Sequence, residues 1–87
     1  MSSIKKVAVI GTGVIGAGWI IRCLAHNKIV YAFDKDPKLK NSLIKEIKRT
    51  WPFVKKLFKK NKFSLKNFYY FNSLEKTLKN ADFIQEC

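Results

Sequence analysis

Residues 7–19 read VAVIGTGVIGAGW, and the fold follows from this stretch. Val7 to Ile10 is a short apolar run, rich in β-branched residues and ending at glycine. That pattern suits a strand buried on both faces better than an alternating edge strand. Gly11-Thr12-Gly13-Val14-Ile15-Gly16 follows at once as G-x-G-x-x-G, and a helical pattern begins within it. Each glycine has its own task. Gly11 permits the tight strand-to-helix turn, Gly13 lets the backbone approach a diphosphate with no Cβ in the way, and Gly16 lets the helix pack close to the sheet. The N–H groups of residues 13–15, at the positive end of the helix dipole, then form a cradle for phosphate oxygens.

From Val14 to about His26 apolar residues recur on helical spacing, with Val14, Ala17, Ile21 and Leu24 on one stripe and Ile15, Trp19 and Cys23 beside it. Arg22 and His26 supply the one polar edge, so this helix is expected between a sheet and a further layer. Asn27-Lys28 reads as a turn and Ile29 to Phe33 as a second buried strand, which ends at Asp34. Asp34 lies eighteen positions past Gly16, the spacing of an acid that bonds an adenosine ribose. A carboxylate there accepts both ribose hydroxyls and repels a 2′-phosphate, which favours NAD over NADP; the cation of Lys35 beside it acts in the opposite sense.

Asp36-Pro37 predicts a helix start, with Asp as cap and Pro at the first helical position. Leu39, Leu43, Ile47, Trp51, Val54 and Phe58 continue it as one apolar stripe, and Pro52 predicts a kink or a junction of two helices near residues 50–52. Asn61 to Asn67 reads as a polar connection, Phe68 to Phe71 as a short strand, and Asn72 with Glu75 as a capping box for a helix to about Asn80. Asp82 to Glu86 reads as a fourth strand. The order β-α-β-α-β-α-β predicts an α/β fold: a Rossmann-type parallel sheet with helices on both faces, truncated after the fourth strand. On this reading residues 1–87 are a partial cofactor-binding domain. They hold the adenosine half of a site that crosses the switch point between strands 1 and 4, and they leave an unprotected edge strand.

The 87 residues carry 18 Lys and Arg against 6 Asp and Glu, a formal charge of +12, yet 47% are hydrophobic, which excludes a solvated, disordered polyelectrolyte. Only Arg22 and Arg49 are arginines, and readers of bases and phosphates lean on the bidentate Arg fork, so a specific nucleic-acid role is not expected. Ten of the twelve net charges fall between Lys35 and Lys66. Ile44 to Lys60 interleaves cations with Trp51, Phe53 and Phe58, the pattern of a basic module for RNA or anionic lipid. The same apolar stripe, however, is needed to cover the sheet. The uncharged stretch from Val7 to Ile21 is too short and too rich in glycine for a membrane span, and no export cleavage site follows it. Cys23 and Cys87 stand far apart with no metal-ligand spacing, which suits a reducing cytoplasm. His26 falls at a helix end, away from the strand tips where ligands bind, and is not expected to act as a base.

Together with Ala81 to Glu86, which read ADFIQE, the stretch at 7–19 resembles the NAD-binding N-terminal domain of the L-3-hydroxyacyl-CoA dehydrogenase superfamily. Ile15, Trp19, Trp51-Pro52 and the run from Ser73 to Glu86 are similar to its carnitine dehydrogenase branch. Cys87, where that branch tends to have Ser, is more like the L-gulonate 3-dehydrogenase branch. The resemblance implies NAD as cofactor, Glu86 as the fourth-strand acid beside the nicotinamide half, and a small 3-hydroxy substrate such as carnitine. It also implies homodimers among full-length relatives. The family's catalytic His, the carboxylate that orients it and the helical domain would lie beyond Cys87. No catalytic residue is therefore expected in these 87, which alone should be inactive.

Overall fold

The computed structural model describes residues 4–58 and 65–87. In chain order the elements are β1 (Lys6–Ile10), α1 (Val14–Ala25), β2 (Ile29–Phe33), α2 (Leu39–Phe58), β3 (Phe68–Tyr70), α3 (Leu74–Leu78) and β4 (Phe83–Glu86). All pairings are parallel and the strand order is β3-β2-β1-β4. The direction of strand addition reverses after β3, so right-handed crossovers put α1 and α2 on one face and α3 on the other. α1 packs against α2, while α3 lies over β1 and β2. The fold is the expected α/β parallel sheet, with its switch point between β1 and β4.

β1 is bonded along both edges, which explains its uninterrupted apolar run: Val7, Ala8 and Val9 are all buried. Val7, Val9, Val30 and Ala32 project into the core beneath α1 and α2, where they meet Ala17, Ile20, Ile21 and Leu24 from α1 and Leu43, Ile47, Trp51 and Val54 from α2. Each fully buried Ile or Leu contributes about 1.5–3 kcal/mol of transfer free energy, so α2 is held by its stripe and not by its Lys-rich face. On the opposite face Thr77 of α3 is buried and its hydroxyl donates to the Ser73 carbonyl at 2.7 Å. Beyond α3 the sheet shows Tyr31, Tyr69 and Phe71 in mutual ring contact. β4 forms an edge of the described sheet, and its Phe83 and Ile84 are both exposed.

Several local expectations are corrected. α2 runs unbroken through Pro52. Pro52 lies on the exposed side, where the Lys48 carbonyl that loses its partner can be hydrated, and the buried Trp51 and Val54 hold the stripe on either side. α2 begins at Leu39 rather than Pro37, because the Asp36 carboxylate accepts from the Lys38 N–H and the Asp36 carbonyl from the Leu39 N–H, which closes a separate turn first. Ser73, not Asn72, caps α3: its Oγ accepts from the Lys76 N–H, and the helix ends at Leu78. Val14, expected on the buried stripe of α1, is 92% exposed, and Ile20 takes the core position instead. Of the expected connection at 61–67, residues 61–64 lie outside the described residues.

Candidate cofactor site

The parallel register places Phe33, Ile10 and Glu86 level with one another at the carboxyl ends of β2, β1 and β4. One residue further on, Asp34, Gly11 and Cys87 therefore stand side by side at the switch point. The Gly11 N–H donates to the Phe33 carbonyl at 2.8 Å, and the Cys87 N–H donates to the Ile10 carbonyl at 2.9 Å. Gly11 has φ +94°, and a Cβ there would lie 3.1 Å from the Cys87 carbonyl oxygen, so both conformation and space reserve the position for glycine.

α1 then crosses directly over this turn. A Cβ on Gly16 would fall 1.8 Å from the Gly11 carbonyl oxygen, an overlap that no side-chain rotation relieves. Gly13 is the N-cap of α1 in extended conformation, and its carbonyl accepts from the Ala17 N–H at 2.8 Å. No side chain caps this helix start and its first turn carries no acid, while a Cβ on Gly13 would meet nothing within 4 Å. The helix thus begins at open space with its positive end uncompensated, an arrangement suited to the oxygens of a diphosphate.

Asp34 enters this loop from β2. Its Oδ2 accepts from the Thr12 N–H at 2.8 Å and, at a longer 3.4 Å, from the Thr12 hydroxyl, while Oδ1 accepts from the Asp36 N–H at 2.8 Å. Partial burial pushes the Asp34 carboxyl up, but the Thr12 and Asp36 backbone donors, the Thr12 hydroxyl and the Lys35 charge outweigh it and leave the group below its ordinary value of 3.8. The acid is therefore ionised at neutral pH, and Oδ1, with one donor on it, keeps a lone pair for a ribose hydroxyl, while Oδ2 can take a second only in place of the long contact from the Thr12 hydroxyl. The spacing that singled out Asp34 gave no sign of its bond to Thr12, because only the folded loop aims that N–H at it.

Glu86 is exposed at the tip of β4, and its level is set from the strand's other end. Asp82 Oδ2 accepts from the Lys5 and Lys6 N–H groups, each at 3.0 Å, and the Asp82 N–H donates to the Lys6 carbonyl at 2.7 Å. The Lys5 and Lys6 backbone donors hold the Asp82 carboxyl below its ordinary value. The first acid of ADFIQE is thus a register clamp whose position the sequence placed only as a strand start. From the glycine loop a groove of about 950 Å³ continues between α1 and α2, lined by Thr12 and Val14 at one end and Thr50 and Leu57 further along, with both arginines, Arg22 and Arg49, on its walls. Arg49 is paired with Glu46 at 2.6 Å.

Trp51, one of the aromatics interleaved with cations in the basic-module reading, is only 5% exposed and is committed to the core. Among the described residues no three His, Cys, Asp or Glu side chains come together in a way that could hold a metal, and no helix is long and apolar enough to cross a membrane. Cys23 and Cys87 are both free, and burial pushes both thiols up.

Residues 6–87 match the family of 3-hydroxyacyl-CoA dehydrogenase NAD-binding domains. The chain is 46% identical over 82 residues to L-carnitine dehydrogenase of Oceanobacillus iheyensis, an alignment covering 94% of this chain and 27% of that protein. It is 40% identical over 81 residues to L-carnitine dehydrogenase of Staphylococcus epidermidis, covering 93% of this chain and 25% of that one. The fold is similar to that of (S)-3-hydroxybutyryl-CoA dehydrogenase from Ralstonia eutropha, with a TM-score of 0.79 at 20% identity over 98% of this chain and 31% of that structure. The chain thus spans about a quarter of the length of the curated relatives it matches. It belongs to the 3-hydroxyacyl-CoA dehydrogenase NAD-binding domain family, and NAD is the cofactor of that family.

Proposed function

We propose that this family member binds NAD at the switch point as the cofactor-binding part of a 3-hydroxy dehydrogenase of the L-carnitine dehydrogenase type. The observation that carries the reading is the conjunction at one sheet edge of the open, uncapped start of α1 at Gly13 with the ionised carboxylate of Asp34. The N–H groups of residues 13–15 hold the diphosphate, and the space at Gly13 admits it against the backbone. Gly11, Thr12, Gly16 and the backbone of Val14 and Ile15 shape that cradle. Asp34 accepts the adenosine ribose hydroxyls and, as an anion, disfavours a 2′-phosphate. Glu86, across β1 from Asp34, borders the nicotinamide half. When bound, NAD supplies the acceptor for a hydride from the C3 carbinol of the substrate.

The high identity to carnitine dehydrogenases favours carnitine as that substrate, oxidised to 3-dehydrocarnitine, over an acyl-CoA or gulonate. The 87 residues carry cofactor binding and not the chemistry, since His26 sits at the C-terminal cap of α1, away from the strand tips. Residues 1–87 are thus a partial Rossmann domain whose catalytic residues lie elsewhere, in an assembly that is homodimeric as a whole. The two free thiols fit the cytoplasm.

Calorimetric titration of the purified chain with NAD and NADP tests the reading. NAD should bind at least tenfold more tightly than NADP, and Asp34→Ala should narrow the gap. Equal affinity for the two, or no binding of either, refutes it, and turnover of carnitine by the 87 residues alone refutes the division of labour.

A further inference from the structure

Two successive N–H groups of the glycine loop are bound to the end of β2. Gly11 donates to the Phe33 carbonyl and Thr12 to the Asp34 carboxylate, both at 2.8 Å. The first is an ordinary backbone contact, which any side chain at position 33 would leave intact. The second depends on the side chain of Asp34 alone. Thr12 stands between two glycines, in a segment with more backbone freedom than almost any other sequence, and it is nevertheless only 4% exposed. The carboxylate is itself held in place, because its other oxygen accepts from the Asp36 N–H. A residue that served only to accept a ribose would not need both oxygens tied to backbone.

We infer that Asp34 is a positioning residue for the phosphate loop as well as an acceptor for the ribose: its carboxylate latches Thr12, and through Thr12 it sets Gly13 at the start of α1. This rests on the reading that the diphosphate lies at that helix start. The two roles are compatible, since an ionised carboxylate offers about four lone-pair sites and the described loop uses one on Oδ1 and two on Oδ2, the second of these a long 3.4 Å contact from a hydroxyl that can rotate away. The consequence is that the ribose and diphosphate subsites are mechanically one unit. Loss of the Asp34 side chain leaves a buried Thr12 N–H without its acceptor and frees a G-T-G segment, so diphosphate binding weakens even for a ligand with no ribose diol.

This consequence has a sign that separates it from the ribose role. Removing a negative charge beside an anion site should by itself tighten diphosphate binding or leave it unchanged. The latch predicts the reverse for Asp34→Ala, and predicts a smaller loss for Asp34→Asn, whose amide oxygen can keep Thr12 only by turning its NH2 toward the Asp36 N–H. The probes are ADP and 2′,3′-dideoxy-ADP, which share the diphosphate and differ in the diol. Dideoxy-ADP should bind Asp34→Ala about tenfold more weakly than wild type, the loss expected of one charge-assisted bond that fixes the loop. Asp34→Asn should fall between the two, since it keeps one of the two backbone acceptors. Unchanged or tighter binding of dideoxy-ADP by a folded Asp34→Ala chain overturns the latch.

A second measurement needs no ligand and no variant. In wild type the Thr12 amide proton shift should follow the titration of the Asp34 carboxyl, with Lys35 and Asp36 as the charged neighbours, and a Thr12 amide indifferent to that titration overturns the latch whether or not the variants fold. If wild type binds neither nucleotide, the reading of the diphosphate site fails, and the amide titration still decides the latch.

Discussion

Replacing Gly16 by alanine tests the close crossing of α1 over the glycine loop, and it does so by sign as well as by size. In an exposed helix interior Gly→Ala stabilises by about 1 kcal/mol, because alanine loses less backbone entropy. At Gly16 the new Cβ would fall 1.8 Å from the Gly11 carbonyl oxygen and 2.8 Å from its carbon. An ordinary carbon–oxygen contact is about 3.3 Å, so the helix must retreat by roughly 1.5 Å, the rise of a whole helical residue. Neither partner can rotate away, since both are backbone, and the retreat would also lift Ala17, Ile20 and Ile21 from the sheet. Overpacking of this kind costs about 3 kcal/mol net, against a total stability of about 4–13 kcal/mol for a chain of this length. With a urea m-value of about 1.5 kcal/mol/M, the unfolding midpoint should drop by roughly 2 M. Gly18 is the internal control: it lies in the same helix and a Cβ there meets nothing within 4 Å, so Gly18→Ala should raise the midpoint slightly. Urea unfolding followed by far-UV circular dichroism reads both. If Gly16→Ala matched Gly18→Ala, or stabilised the chain at all, the argument from close approach would be wrong.

Gly13→Val should lower the unfolding free energy by only about 1 kcal/mol, the cost of a poorer N-cap at an open, extended position, but should abolish NAD binding by calorimetry. Ile47→Ala removes a side chain with no exposure at the centre of the α2 stripe and should cost about 3 kcal/mol in the same unfolding assay. Pro52→Ala returns the N–H that the uninterrupted α2 lacks and should stabilise the chain by about 1 kcal/mol or more. Asp82 is held below its ordinary 3.8 in the fold, so its contribution is present above that pH and is lost as pH falls through the lower folded value. An acid titration of stability should therefore show a limb below about pH 4 that is shallower in Asp82→Ala.

Much of the molecule was legible because its signals are local. An apolar run with no polar alternation requires a strand covered on both faces, and β1 is such a strand; G-x-G-x-x-G after it requires a tight turn into a helix. The stripe at Leu43, Ile47 and Trp51 likewise predicts its own burial, and ADFIQE together with the glycine loop led to the family. Where local rules erred, a tertiary contact won. Pro52 failed to break α2 because the buried residues on either side hold the helix against the sheet, and Val14 left its stripe because the helix start faces open space rather than the core.

The sequence by itself determined the order of elements, the parallel sheet, the cofactor class and the residues that the cofactor motif comprises, since each follows from periodicity or from spacing along one chain. Only the tertiary structure decided what those residues touch. The bond from Thr12 to Asp34 spans 22 positions, and those from Lys5 and Lys6 to Asp82 span more than 70, so they exist only once the strands are in register. A carboxylate's spacing tells which strand tip it reaches; the direction in which a neighbouring N–H points is a property of the folded loop alone.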